Sequence, residues 1–448
     1  GILAAADSAE INVGSDAAVL ANNGMAVAAF TINNTVINNA GLLQGEGSVL
    51  LPTIGVLSGG SVNVHNQAGG EIRSDGGSAF ASAMNVIAGD AISVINDGII
   101  TGNVTLVAAG VDANGVSVQF DNNSANTWNW AGVNLFAGPG DLIFNNNANG
   151  VANAGPFSVN VFATANGDVA INNSGTFNAT GFNTFVFLEP NGSSAFTNTG
   201  SFNVRGFAGF FGLNDFANAG GIVEMRDGTD NDVVLTTGNF NGGLGSRLGI
   251  DAQLGSLSGF GLSDLLIIGG NVSHPTGLFV NDLLAGQPGS FNPDGVVFGV
   301  VGGNTQQGDF FLVNGQIDKG LFTYDIFLRD GAGENGENLW VLASTPDQTF
   351  FELPSIISAA QSLWYSSTGV WLDRTADLRS ASAACTAGGM KDEVVCGPAV
   401  RPGVWAKAIG NWSERSQDHR FSLHGRTFDY KVEYDQDSYG IIGGVDFS

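Results

Sequence analysis

Ile37-Asn38-Asn39-Ala40-Gly41-Leu42-Leu43 decides the fold, because it returns along the chain. Val94-Ile95-Asn96-Asp97-Gly98-Ile99-Ile100 repeats it, and so do Val151-Ala152-Asn153-Ala154-Gly155 and Ile171-Asn172-Asn173-Ser174-Gly175-Thr176-Phe177. Further copies are Phe196-Thr197-Asn198-Thr199-Gly200-Ser201-Phe202 and Phe216-Ala217-Asn218-Ala219-Gly220, with a looser one at Val64-His65-Asn66-Gln67-Ala68-Gly69. Apart from the looser copy, each places Asn two residues before Gly, with apolar residues alternating on either side. Such alternation suits short strands with one face inward. Gly reaches backbone angles barred to other residues and Asn tolerates the left-handed region, so the pair marks a corner.

The glycines set the period. Gly41, Gly69 and Gly98 are spaced by 28 and 29 residues, and Gly155, Gly175, Gly200 and Gly220 by 20, 25 and 20. The interval from Gly98 to Gly155 is read as two turns, with Asn122-Asn123 as a degenerate copy between them. A repeat of this size is one coil of a solenoid. Heptads and helix caps are absent from this stretch, so the expected fold is all-β: a right-handed parallel β-helix. Asn at one corner of every coil is expected to stack as a hydrogen-bonded ladder. About ten coils to residue 240, ~4.8 Å apart, predict a rod of roughly 50 Å.

Composition agrees. With 43% hydrophobic residues and 31 Phe the chain can fill a core, and its 12% charged residues are too few for a disordered acidic chain. The net charge of −26 opposes contact with a phosphate backbone, so no nucleic-acid partner is expected. Through residue 346 the basic residues are Arg73, Arg205, Arg226, Arg247, Lys319 and Arg329; the rest crowd the last hundred residues. That shift marks a module boundary. The chain begins at Gly1 without a basic-then-apolar leader, so an export signal is expected to have been removed or to lie outside it.

The expected organisation is a repetitive β-helix over 1–240, a C-terminal stabilising section of it over 241–346, a linker helix and Cys loop over 347–402, and antiparallel strands over 403–448. The stabilising section rests on longer strands such as Ser263-Asp264-Leu265-Leu266-Ile267-Ile268, Val296-Val297-Phe298-Gly299-Val300-Val301 and Leu339-Trp340-Val341-Leu342. Thr345-Pro346-Asp347 reads as a linker, and Pro354 as the first turn of a helix reaching about Ala384. Ile356, Ile357, Ala360, Leu363, Trp364, Trp371, Leu372 and Leu378 approximate its apolar stripe. Cys385 and Cys396 are the only cysteines and are spaced unlike a zinc knuckle or redox pair; a local disulfide is the reading, two reduced thiols the alternative. Val404-Trp405-Ala406-Lys407-Ala408-Ile409-Gly410-Asn411-Trp412 and Phe428-Asp429-Tyr430-Lys431-Val432-Glu433-Tyr434 alternate in character. Both a transmembrane barrel strand and a soluble hairpin read this way.

Pro402 to Trp412, with its Val404-Trp405 start, resembles the opening strand of the autotransporter (type V secretion) barrel. Phe428-Asp429-Tyr430 and Tyr439-Gly440-Ile441-Ile442-Gly443-Gly444-Val445-Asp446-Phe447 resemble its next strands. Ser263-Asp264-Leu265-Leu266 with Tyr324 and Trp340 is similar to a pertactin-like stabilising end section. The resemblance implies the start of an antiparallel outer-membrane β-barrel, self-secretion from a Gram-negative bacterium, and an extracellular passenger assembled with the barrel-assembly machinery. It assigns the segment around Trp371, Arg374 and Arg379 to the transport helix, and Val404 and Trp405 to the barrel start. The residues from Gly403 to Ser448 cannot supply about 8 strands of roughly 10 residues, so the chain is expected to be part of a longer protein.

Catalytic chemistry is not evident. A Ser–His–Asp site in the solenoid would have to use His65 or His274, neither with an obvious partner nearby in sequence. Asp227, Asp230 and Asp232 beside Arg226 are the candidate acids of a polysaccharide-active enzyme, or a solvated turn. Gly259-Phe260-Gly261-Leu262-Ser263-Asp264 faintly resembles one calcium-binding repeat, too few for a roll. No cofactor is expected, and calcium on the acidic surface is left open. Trp128-Asn129-Trp130 and Phe207 to Phe211 read either as core or as a contact patch for glycans or proteins. The expected function is a non-catalytic structural or adhesive passenger (an adhesin) at the cell surface. The alternatives are a β-helix enzyme and a lattice or matrix component that packs against itself.

Overall fold

A computed structural model describes residues 1–48, 51–74, 79–123, 127–386 and 402–447. The chain divides into two compact units, Gly1–Lys319 with Tyr324–Ser344, and Gly320–Thr323 with Thr345–Ser448.

The first unit is a parallel β-solenoid of about ten turns. Its coils build three faces. The first stacks Ile2–Ala6, Val27–Thr31, Ile54–Ser58, Ser82–Ala88 and their successors. The second, an 11-stranded sheet, stacks Ala9–Val13, Thr35–Asn39, Val62–Asn66, Ile92–Asn96 and onward to Val272–Ser273. The third stacks Ala18–Leu20, Leu42–Gly45, Glu71–Ser74 and onward to Phe310–Leu312. In Thr176–Leu188 and Ser201–Phe211 the third and first faces merge into single long strands.

Alternation along each strand puts every second side chain inside. One inward column of the second face runs Ile11, Ile37, Val64, Val94, Phe120, Phe144, Ile171, Phe196, Phe216, Phe240. It is aliphatic for four coils and then mostly aromatic. Phe136, Phe162 and Phe187 stack at 5.1 and 5.5 Å, nearly coplanar. Trp128 and Trp130 are fully buried, which makes them core and not a contact patch. Phe210 is buried as well, while Phe211 stays partly exposed.

The parallel stacking does not stop at residue 240; Arg247–Ala252 pairs Thr276–Asp282, and Leu265–Ile268 pairs Val296–Val301. The change comes at Asn338–Pro346, which runs antiparallel to Val296–Val301. Beneath it Trp340 is buried against Phe310 at 5.1 Å and donates to Thr305 Oγ1 at 3.1 Å. The hydroxyl of buried Tyr324 lies within hydrogen-bond distance of the Gly255 and Ser290 carbonyls, at 3.0 and 3.1 Å, and buried Lys319 pairs with Asp282 at 2.6 Å.

The second unit corrects three expectations. Thr345-Pro346-Asp347 is no free linker: the last strand ends at Pro346 and the helix Gln348–Thr386 follows at once. Asp347 caps it, accepting from the Thr349 hydroxyl at 2.8 Å, so Pro354 lies inside the helix and not at its start. Phe428–Tyr434 and Tyr439–Phe447 are one strand, Arg426–Phe447, paired along its whole length with Pro402–Leu423. The turn is His424-Gly425, both at positive φ (45° and 78°), the geometry of a tight two-residue hairpin. The Cys385–Cys396 pairing lies outside the described residues.

Candidate functional site

The corner asparagines form one buried line. Asn39, Asn66, Asn96, Asn122, Asn146, Asn173, Asn198 and Asn218 occupy equivalent positions in successive coils, each almost wholly buried. Each Nδ2 donates to the next Oδ1, from 2.9 Å at Asn39–Asn66 to 2.7 Å at Asn146–Asn173 and 2.9 Å at Asn198–Asn218. The second N–H of several members reaches a backbone carbonyl, as in Asn173 to Ser201 at 3.0 Å. Asn218 then donates to Ser246, which bonds Thr276, carrying the line past residue 240.

Asn153 is not in this line. It belongs to a half-exposed ladder of Asn129, Asn153, Asn178 and Asn203 on the third face. The buried member of its coil is Asn146, followed by Gly150 rather than by a Gly two residues on. An insertion after Asn146 hid it from an Asn-x-Gly pattern. The glycines also need another reason than the one the spacing suggested. Gly41, Gly98, Gly175 and Gly200 do not lie at positive φ; Gly220 does, at 89°. At those four, a Cβ would collide with a backbone carbonyl of the preceding coil, of Ala17, Gly70, Gly150 and Gly175 respectively. Gly155 sits instead beside Ala131.

The candidate acids disperse. Arg226 binds Glu224 at 2.7 and 2.6 Å, Asp227 caps Thr229, and Asp230 accepts from Gln253 at 2.6 Å. Asp232 alone of these is buried; one oxygen accepts the Gly206 N–H at 2.5 Å and Oδ2 has no hydrogen-bond partner among the described residues. Two buried acids that sequence spacing missed, Asp251 and Asp264, lie one coil on. Asp264 is fully buried and accepts the N–H groups of Asp251 at 2.7 Å and Asp232 at 3.0 Å. Burial pushes its carboxyl up to about 8 and that of Asp232 to about 6. Both acids lie inside the wall, where a polysaccharide cannot touch them. Among the described residues no three His, Cys, Asp or Glu side chains are grouped so as to hold a metal ion.

The histidines do have partners, which sequence proximity concealed or understated. His65 Nε2 is 2.7 Å from Asp97 Oδ2, one coil away on the second face. His274 Nδ1 is 3.0 Å from the neighbouring Ser273 hydroxyl, with His274 at φ 64°.

The helix and hairpin form the most differentiated surface. The helix lies along one hairpin face through polar contacts. Arg374 binds Asp446, with Nε at 2.8 Å, and its guanidinium sits 5.8 Å over Trp405. Asp373 meets Lys407 at 2.7 Å, Ser362 accepts from Asn411 at 3.0 Å, and Ser358 from Arg415 at 2.7 Å. Phe351 packs on His419 and Tyr430. The apolar stripe, including Ile356, Ile357, Trp364, Trp371 and Leu372, is exposed on the helix.

The other hairpin face is split along its length. Val404, Ala406, Ala408, Gly410 and Trp412 stand beside Tyr439, Ile441, Gly443 and Val445, with Val404 83% and Ile441 81% exposed. Trp412 Nε1 donates to the Tyr439 hydroxyl at 3.0 Å and closes this band. Beyond it the same face turns charged, with Glu414, Asp418, Arg420, Asp429, Lys431 and Glu433. The aromatic residues Phe428, Tyr430 and Tyr434 point to the opposite side of the sheet from that charged stretch. Among the described residues no helix is long and apolar enough to cross a membrane, a test that does not address strands.

No family model matches this chain, and no curated protein matches it.

Proposed function

We propose that this chain is a self-secreted, surface-displayed passenger, structural or adhesive and non-catalytic, attached to an outer-membrane barrel of the autotransporter type. The hairpin Pro402–Leu423 with Arg426–Phe447 supplies opening barrel strands, and the helix with Trp371, Arg374 and Arg379 occupies the lumen side. One observation carries the reading. A band of outward, solvent-exposed apolar side chains from Val404 to Trp412 and from Tyr439 to Val445 ends at an aromatic pair, while the reverse face presents Lys407, Asn411 and Arg415 to a helix. About nine residues, or roughly 27 Å along the strand, is the length of a tilted barrel crossing with a lipid-facing apolar side and an aromatic girdle. In a water-soluble hairpin the same residues would expose a needless apolar surface.

The roles follow from position. The barrel anchors, the helix fills its lumen through charged and hydroxyl contacts, and the solenoid stands outside as cargo stiffened by its amide ladder. The partners on this reading are the outer membrane, the barrel-assembly machinery and other cell-surface molecules. The test is expression of the whole open reading frame in a Gram-negative host, followed by outer-membrane fractionation and protease treatment of intact cells. The chain is expected in the outer membrane with the solenoid accessible. Ile441→Glu with Val445→Glu, a cost of several kcal/mol on a lipid face, is expected to abolish both. Wild-type chain found only in soluble fractions overturns the proposal.

A further inference from the structure

The three outer faces of the solenoid are chemically unequal. Outward positions of the second face include Glu10, His65, Asp121 and a run of asparagines; those of the third include Glu71, Arg73, Glu224 and Arg247. The first face is different. Its outward columns pass through Phe30, Leu57, Ile87, Val133, Leu188 and Phe211, all substantially exposed. Among the described residues none of its outward positions carries a charge, and the polar ones are Ser82, Asn85, Asn103, Thr105 and Thr184. This happens on a chain of net charge −26.

We infer that this face is where two copies of the chain pack against each other, sheet on sheet. About twelve strands ~4.8 Å apart, each about five residues long, give it roughly 900 Å2. A stable dimer needs about 800 Å2 per partner, so the face is large enough by itself. An uncharged, mostly apolar face of this extent is larger than the apolar patch a monomer ordinarily exposes. Charge selects the occupant. Two copies repel through their acidic surfaces, and of the three solenoid faces this uncharged one lets them approach without placing like charges in contact. A face of stacked parallel strands is flat along the coil axis and can interdigitate with its own copy about 10 Å away. The interface is isologous, related by a two-fold axis near the middle coils. This role of the first face goes beyond the passenger reading and is independent of the hairpin.

Sedimentation equilibrium of the full 448-residue chain from about 1 to 100 µM tests it. The expected species has twice the 45.9 kDa chain mass and tightens as salt screens the repulsion. Leu135→Glu with Val161→Glu, mid-face, is expected to weaken association by at least about 100-fold. Ile87→Thr with Leu188→Thr keeps strand propensity and is expected to weaken it about tenfold, which covers the case where the charged pair fails to fold. Ile441→Glu with Val445→Glu, on the hairpin, is expected to leave it unchanged. A wild-type monomer at every concentration overturns the inference, as does association lost only with the hairpin pair. A monomer whose first face instead floats it with phosphatidylcholine vesicles also overturns it, in favour of lipid. Membrane targeting that survives the first-face substitutions separates failure here from failure of the passenger reading.

Discussion

Asn96 is bonded on both sides, accepting from Asn66 and donating to Asn122, each at 2.8 Å, at zero exposure. Replacing it by Ala strands a donor on one neighbour and an acceptor on the other. Each orphaned buried group costs about 1–3 kcal/mol, so Asn96→Ala is expected to lower unfolding free energy by about 2–5 kcal/mol in urea titrations. Asn38→Ala, which breaks one exposed 2.8 Å bond to Asn12, is expected to cost under about 1 kcal/mol. Asp264 makes a pH prediction of opposite sign to that of an ion-paired carboxylate. Its folded carboxyl holds a proton to about pH 8 because of burial, against ~3.9 when unfolded. The folded state therefore binds more protons between these values. The stability it contributes is complete below about pH 4 and is lost as pH rises toward 8. Asp232, raised to about 6, adds in the same direction over a narrower window. The decline from pH 5 to pH 8 is of the order of 5 kcal/mol, and Asp264→Asn is expected to remove most of it. An unchanged slope in that variant refutes the assignment.

At the scale of elements, the helix and hairpin stand on a few polar bonds, and Arg374 is the most connected. Arg374→Gln and Asp446→Asn should each raise hydrogen exchange in the helix near Ser366 to Arg379. A double-mutant cycle should return about 1–3 kcal/mol of coupling, as a charge-assisted pair held against a ring deserves. These elements also show what the sequence disclosed and what it hid. Alternation and Asn-Gly spacing disclosed the solenoid, because coil stacking repeats the same local chemistry. They misplaced Asn153, since a ladder is defined by register between coils and an insertion before Gly150 shifts the spacing without shifting the register. They split the final strand in two because Asp435-Gln436-Asp437-Ser438 is polar on both sides of the alternation and reads as a turn. Asp264 was visible in the sequence only as a member of a glycine-rich run and of the strand Ser263-Asp264-Leu265-Leu266; its partners Asp232 and Asp251 are assembled by stacking, which no local window contains. The first face was silent for a similar reason. Leu57 and Ile87 look like ordinary strand residues until the register aligns them on the outside.

Over the whole solenoid, each coil touches only its neighbours, so local stability should follow the quality of successive interfaces. The two ends are built differently. The first coil offers Leu3, Ala4 and Ala5 and places Val13 where later coils carry the ladder Asn. Its outer edge has no covering strand among the described residues. The other end is closed by Asn338–Pro346 running antiparallel, over Trp340, Tyr324 and the buried Lys319–Asp282 pair. The middle coils combine stacked Phe rings with the full amide ladder. Hydrogen exchange is therefore expected to be fastest in Ile2–Ala6 and Ala18–Leu20 and slowest between Leu142 and Phe216, with the capped end protected to a similar degree. Trp340→Ala removes a ring at zero exposure and should cost about 3–5 kcal/mol. In a nearest-neighbour array that loss should appear first in Leu265–Ile268 and Val296–Val301, leaving Leu142–Asn198 protected. Uniform exchange along the wild-type solenoid, or a uniform rise in the Trp340 variant, would mean that the coils unfold as one cooperative block and that the cap does not act locally.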